Sequence, residues 1–181
     1  MKPRSDLRRL EKYSEGLICC SACLAGHIPS ALLRGDYEDA KAYALRLKGM
    51  FAEGDFYIEL QDHGLEGEKR ILNQLVALAR DIGVKVVATN DVHYIEREDA
   101  DTQDTMMCIT LQCKKTEKVG VRFENDNFYL KSGEEMEELF SWIPEAIAST
   151  KEIADKVDGD YFVVEHSTTY SPRFDTEDMN G

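Results

Sequence analysis

No run of apolar residues in the 181-residue sequence approaches the roughly 20 that a membrane-spanning helix requires. Nor does an apolar stretch follow the basic residues of Met1-Lys2-Pro3-Arg4-Ser5-Asp6, so no secretory signal is read and a cytoplasmic location is expected. Positive charge is in deficit. Against 35 Asp and Glu stand 22 Lys and Arg, a net charge of −13. A surface of that sign repels phosphate backbones, which argues against a sequence-independent grip on DNA by this segment. Phosphate-cradling loops, dinucleotide glycine patterns and nucleophile elbows are missing, as are internal repeats and low-complexity tracts. The five cysteines, Cys19, Cys20, Cys23, Cys108 and Cys113, are odd in number, which argues against a disulfide framework. Cys20-x-x-Cys23 has no second CxxC or HxxxH partner at zinc-finger spacing, so it is a weak zinc or redox signal.

What remains is an ordinary globular composition, 43% hydrophobic and 31% charged, enough for one domain or a domain plus a short extension. Residues 1–15 are polar and read as a helix or arm. Leu17 to Ala22 is a short apolar run bounded by Gly16 and Gly26 and reads as a buried strand. Asp36 caps a helix to about Phe51, with Tyr37, Ala40, Ala44, Leu47 and Phe51 at helical spacing. Asp55 to Gln61 is an alternating strand rich in aromatic and β-branched residues. A helix over Glu66 to Ile82 turns Leu72, Leu75, Leu78, Ala79 and Ile82 inward and stops at Gly83. Val84 to Thr89 is a near-continuous apolar strand of the kind covered on both faces. Strands alternating with helices predict right-handed crossovers and a parallel sheet. Beyond Tyr94, a helix is expected over Glu98 to Leu111 and a strand or hairpin over Arg122 to Leu130. Ser132 to Glu135 opens a helix as a capping box, and Pro144 starts another that runs to about Val157. The polar tail, Asp158 to Gly181, reads as a linker.

In parallel α/β folds, chemistry collects where strands end. Three such ends carry Cys23, then Gln61-Asp62-His63-Gly64, then Asn90-Asp91-Val92-His93-Tyr94. Thiolate, imidazole and carboxylate are the donors zinc accepts, and the last two also suit manganese or iron. Residues two apart in an extended segment point the same way, so Asp91 and His93 could share a metal. The plainer account has Asp91 capping the next segment and His93 packed on the rim, and both accounts stay open. Cys23 alone would be a small buried residue, and its place on the same rim makes it a candidate soft ligand. His63 is read as a hydrogen-bonded rim histidine that supports a ligand from behind. His27 and His166 read as surface residues, and Cys108 and Cys113 as core.

The runs GLICCSACLAGHIPSALLRGDYEDA, FYIELQDHGL and VVATNDVHYIEREDADTQD resemble the later half of the polymerase-and-histidinol-phosphatase (PHP) domain of bacterial C-family replicative polymerase alpha subunits. FENDNFYLKSGEEMEELF and PEAIASTKEIADKV resemble the segment leading from that domain toward the palm, and the likeness is collinear from about Tyr13 to Pro172. The resemblance implies an α/β fold: part of a distorted (β/α)7 barrel, about three parallel βα units, then a mostly helical extension. The implied boundaries are an arm over 1–15, the later half of the barrel over 16–112, and a connecting segment over 113–181.

Carried over residue by residue, the resemblance makes Cys23, Asp91 and His93 metal ligands, with zinc or manganese the implied metal in the complete domain. It matches His63 to no ligand. The family's opening His-x-His pair is found nowhere in these residues, and the polymerase aspartates would lie beyond Gly181. The segment alone is therefore expected to show neither nuclease nor polymerase activity. In the whole chain, a DNA-directed DNA polymerase of DNA replication, the site would serve a metal-dependent 3′–5′ exonuclease or a structural role. The implied partners are the rest of the alpha chain, the proofreading exonuclease subunit and the replisome, with DNA bound through other domains and no membrane. An open half-barrel would also leave the strand containing Leu17 as an edge and favour a homodimer. The alternatives are a free-standing phosphoesterase of the same superfamily and a metal-free interaction module.

Overall fold

The computed structural model describes residues 5–117 and 123–157. Helix α1 (Leu7–Lys12), capped by Asp6, leads to β1 (Cys19–Cys20). Then follow α2 (His27–Leu33), α3 (Tyr37–Lys48), β2 (Phe56–Leu60), α4 (Glu66–Ile82) and β3 (Lys85–Ala88). A 3₁₀ turn (Arg97–Asp99) opens α5 (Ala100–Leu111), and α6 (Gly133–Leu139) and α7 (Pro144–Lys156) close the described chain. The three strands form one parallel sheet in the order β1-β2-β3, with Cys19 opposite Phe56 and Tyr57 through Leu60 opposite Lys85 through Ala88. The structure is thus α/β, with helical crossovers between parallel strands, as the alternation of patterns implies.

Sheet and helices share one core because their periods agree. Phe56, Ile58 and Leu60 alternate toward one face, and Val86 and Ala88 join them from β3. Against them α4 brings Ile71, Leu72, Leu75, Leu78, Ala79 and Ile82, a stripe at 3.6-residue spacing. Each leucine or isoleucine of that stripe contributes about 1.5–3 kcal/mol on burial. Gly83 ends α4 in the left-handed conformation (φ 66°), where a Cβ would be strained.

The sequence expectations differ from the structure at several places. The Leu17 to Ala22 run pairs only at Cys19 and Cys20, because Leu17 is 47% exposed and Ala22 turns left-handed at φ 66°. Helix α2 was not expected: Pro29 lies in its first turn, where a missing N–H costs nothing, but it masks so short a helical pattern. Helix α3 stops at Lys48 rather than Phe51, though Phe51 is still buried in the core. In place of a strand or hairpin over Arg122 to Leu130, only an isolated bridge joins Tyr94 to Tyr129, and Arg122 itself lies outside the described residues. Cys108 is buried as expected, whereas Cys113 is only half-buried. The tail from Asp158, with His166, also lies outside the described residues. Among the described residues no helix is long and apolar enough to cross a membrane.

Helices α6 and α7 belong to the same core. Phe140, Ile143 and Ala146 are fully or almost fully buried within it, and α7 lies against β3. A polar clip fastens the far end of α7. The buried Tyr57 hydroxyl donates to Glu152 (2.9 Å), and Lys156 Nζ donates to Tyr57 Oη (2.8 Å), Gly54 O (2.7 Å) and Asp55 (3.0 Å). Bonds from Lys85 and Tyr57 hold the Glu152 carboxyl down at about 2, from an ordinary 4.5. A depressed carboxyl stabilises the fold above its unfolded value and loses that effect as pH falls toward the folded one. The melting-temperature gap between the wild type and Glu152→Gln should therefore be full at neutral pH and close between about pH 4.5 and 2. Because the group is exposed, salt should shrink the gap as well. A gap that stays constant down to pH 2.5 would reject the clip.

Candidate metal centre

All three strand ends point to one edge of the sheet. After β3 the chain runs Asn90-Asp91-Val92-His93, and Asp91 sits at φ 40°, a left-handed conformation that Asp tolerates better than most residues. This bend brings Asp91 Oδ1 to 3.4 Å from His93 Nε2, with both side chains a little over one-third exposed. The His93 amide donates to Phe128 O (2.8 Å), and its ring lies 4.5 Å from that of Phe123, so backbone and ring are both fixed. The pair offers two donors to a cation approaching from solvent.

His63 is not on that surface. It is 1% exposed, with Nδ1 2.7 Å from Glu68 Oε1 and Nε2 2.8 Å from the Asn90 carbonyl. Both partners are acceptors, so both ring nitrogens carry protons and the ring is an imidazolium. Burial pushes its pKa down, but the bonds to Glu68 and Asn90 outweigh burial and raise it above 6.5. The ring stacks on Phe128 at 4.2 Å, and the His63 carbonyl accepts from Asn125 (2.7 Å) and Asn127 (2.9 Å). Asn90 is held from its other side as well, donating to Tyr129 O (2.7 Å) and accepting from Lys131 Nζ (2.8 Å). His63 thus supports the peptide immediately before Asp91.

Glu68 also accepts from the His63 amide (2.7 Å) and from the Leu65 amide (3.3 Å). Sequence reasoning missed it as a first-turn acid of α4. A signal was present, however: this helix begins after Leu65, which cannot cap it, and a glutamate three residues in is the group that can reach back.

Cys23 occupies the turn after β1. Its carbonyl accepts from the Gly26 amide (2.7 Å), and a Cβ at Gly26 would sit 2.8 Å from Ser21 O, so only glycine closes this turn. The Ala22 amide donates to Glu59 Oε2 (3.0 Å). Cys20 lies on the strand, where burial and then the Glu59 charge push its thiol up to about 11, so Cys20-x-x-Cys23 has no ready thiolate at Cys20. His27 is exposed as expected, but not idle: it stacks on Tyr43 at 4.1 Å and lies 3.0 Å from Asp39.

Among the described residues no three His, Cys, Asp or Glu side chains converge as a metal would need. Asp91 and His93 are together after β3, and Cys23 follows β1 on the far side of β2, without completing a three-donor set with them. A zinc centre takes at least three protein donors. The described residues therefore do not fit a whole divalent-cation site, and no reaction step through a metal is derived for this chain.

Residues 1–63 match the family model described as the PHP domain, a metal-dependent family. The chain is 47% identical over 157 residues to the DNA polymerase III subunit alpha of Borreliella burgdorferi, covering 87% of this chain and 14% of that protein. The corresponding protein of Treponema pallidum is 42% identical over 155 residues, covering 86% and 13%. That of Thermus aquaticus is 34% identical over 176 residues, covering 96% and 14%. The chain thus spans about one-seventh of the length of these relatives.

Proposed function

We propose that this chain, related along most of its length to DNA polymerase III alpha subunits and carrying part of a PHP domain, supplies one rim of a divalent-metal site within such a polymerase subunit. In this reading Cys23, Asp91 and His93 are donors, His63 holds the Asn90 peptide behind them, and zinc or manganese is the metal. Further donors come from other parts of the parent's barrel. The observation that carries the reading is the closely matched relative at 47% identity, together with a parallel sheet whose strand ends bear these residues along one edge.

Nucleotidyl transfer in DNA replication belongs to other domains of the subunit, and DNA is bound there too, because a chain of net charge −13 repels phosphate. The rim serves a 3′–5′ exonuclease centre or a structural metal, next to the proofreading exonuclease subunit and the replisome. By itself the chain is inactive and covers its open sheet edge by pairing with a second copy.

Asp91→Asn tests this reading cleanly, since asparagine tolerates the left-handed backbone while removing the charge. In the complete alpha subunit, zinc or manganese affinity measured by equilibrium dialysis with plasma mass spectrometry should fall by at least the roughly 10–100-fold that losing a group behind a ligand costs. Unchanged affinity in both Asp91→Asn and His93→Ala would reject the assignment. Cleavage of labelled single strands by the 181-residue chain alone, abolished by Asp91→Asn, would overturn its inactivity.

A further inference from the structure

We propose that Glu59 is a positioning residue that holds the Cys23 turn in its left-handed bend and ties it to the end of β3, so that the two turns bearing the donors keep a fixed spacing. The inference rests on the reading of Cys23 and Asp91 as donors for its functional meaning, though not for its geometry.

Glu59 lies on the central strand, on the face opposite the apolar side chains Ile58 and Leu60, and is half-buried. Its backbone amide donates to Ser21 Oγ (2.8 Å), which pins the residue just beyond β1. One carboxylate oxygen accepts from the Ala22 amide at 3.0 Å. The other accepts from Gln61 Nε2 at 3.1 Å and from the Thr89 hydroxyl, and Gln61 Nε2 also lies 3.1 Å from Thr89 Oγ1. A single side chain therefore joins the residue before Cys23 to the residue two before Asp91.

The chemistry explains why a carboxylate stands here. Its two oxygens are acceptors only and reach donors on two sides at once, whereas a hydroxyl or a side-chain amide offers a single acceptor oxygen. Each of these donors is neutral, so the carboxylate is stabilised by hydrogen bonds rather than by neutralisation. What it holds would not hold itself: Ala22 sits at φ 66°, a conformation that residues with a Cβ avoid, and nothing intrinsic to alanine keeps the turn there. Gly26 closes the other side of the turn by a backbone approach that no side chain permits.

The test uses the complete alpha subunit without metal, with iodoacetamide labelling of Cys23 followed at residue level by mass spectrometry. Losing a hydrogen bond to a charged acceptor should raise the Glu59→Ala labelling rate about tenfold. Glu59→Gln removes the charge and keeps an acceptor for Ala22, but turns an amide nitrogen toward the Gln61 amide, so its rate should fall between those of wild type and Glu59→Ala. Adding Ala22→Gly to Glu59→Ala should bring the rate most of the way back, because glycine adopts the bend unaided. Buried Cys108 on α5 is the internal control, and its rate should not move.

Equal Cys23 rates in Glu59→Ala and wild type would overturn the proposal. So would a parallel rise at Cys108, which would mean general loosening, or a Glu59→Gln rate as high as that of Glu59→Ala, which would mean a charge effect on the thiol. Cobalt(II) titration of the same wild-type chain decides the underlying reading separately. A sulfur-to-cobalt absorption band that Cys23→Ser removes supports Cys23 as a donor. No band in the wild type sinks that assignment while leaving the labelling result to decide the role of Glu59.

Discussion

Replacing Glu68 with alanine is expected to lower the unfolding free energy by about 3–5 kcal/mol, because it leaves a buried imidazolium without its counter-charge. The His63 and Glu68 side chains are only 1% and 5% exposed, and the carboxylate accepts from His63 Nδ1, the His63 amide and the Leu65 amide. A domain with about 5–15 kcal/mol of total stability would lose a large share of it. Glu68→Gln keeps one acceptor and should cost less, about 1–3 kcal/mol.

The wild-type dependence on pH has a definite sign. His63 is raised above 6.5 in the folded state, so its contribution is full below that value and fades as pH rises through the raised one. Urea unfolding of the wild type and Glu68→Ala at pH 6 and pH 9 measures both effects. A loss under about 1 kcal/mol at pH 6 would show that the pair is not the support described above.

The second large effect is expected far from the strand ends. Phe140, just after α6, is fully buried in the core that holds Ile143 and Ala146. Phe140→Ala should cost about 3–5 kcal/mol, the transfer term plus the cavity it leaves. A helical segment merely passing by would give a loss of a few tenths. Limited proteolysis would separate the two cases as well, since freeing α7 exposes the Tyr57, Glu152 and Lys156 clip to solvent and to cleavage.

The parts of this structure that can be read from sequence are those in which local pattern and tertiary environment agree. Phe56 to Leu60 form a strand, though one covered on both faces at Tyr57 rather than alternating in burial; α4 carries a strong apolar stripe and a terminal glycine, Ser132 and Glu135 form a capping box, and Pro144 sits at the first helical position. The parts that cannot be read depend on contacts between distant residues. Ala22 looks like a strand residue until Glu59, 37 positions away, accepts its amide. Pro29 looks like a helix breaker, yet it falls in the one turn that tolerates it. Glu68 has the look of a solvated first-turn acid, and only the return of His63 against it, beneath Phe128, makes it a buried one. The Asp91-x-His93 spacing is legible and the two side chains do meet, but the left-handed bend at Asp91 that shapes their approach leaves no mark in a DxH pattern.

The docking of α7 against β3 also has a consequence in time. On the order of 50 residues separate the end of β3 from the start of α7. At roughly 5–20 residues per second, synthesis places several seconds between them. For a lag of that length β3 is outside the ribosome while the helix that will shield it has not yet emerged. A strand rich in valine is thus displayed in a half-covered state long compared with the microseconds in which helices and hairpins form. In a cell, the nascent chain is open during that interval to chaperones and to wrong partners. Codon choices or pauses between residues 89 and 143 would lengthen or shorten it without altering a single contact of the finished fold.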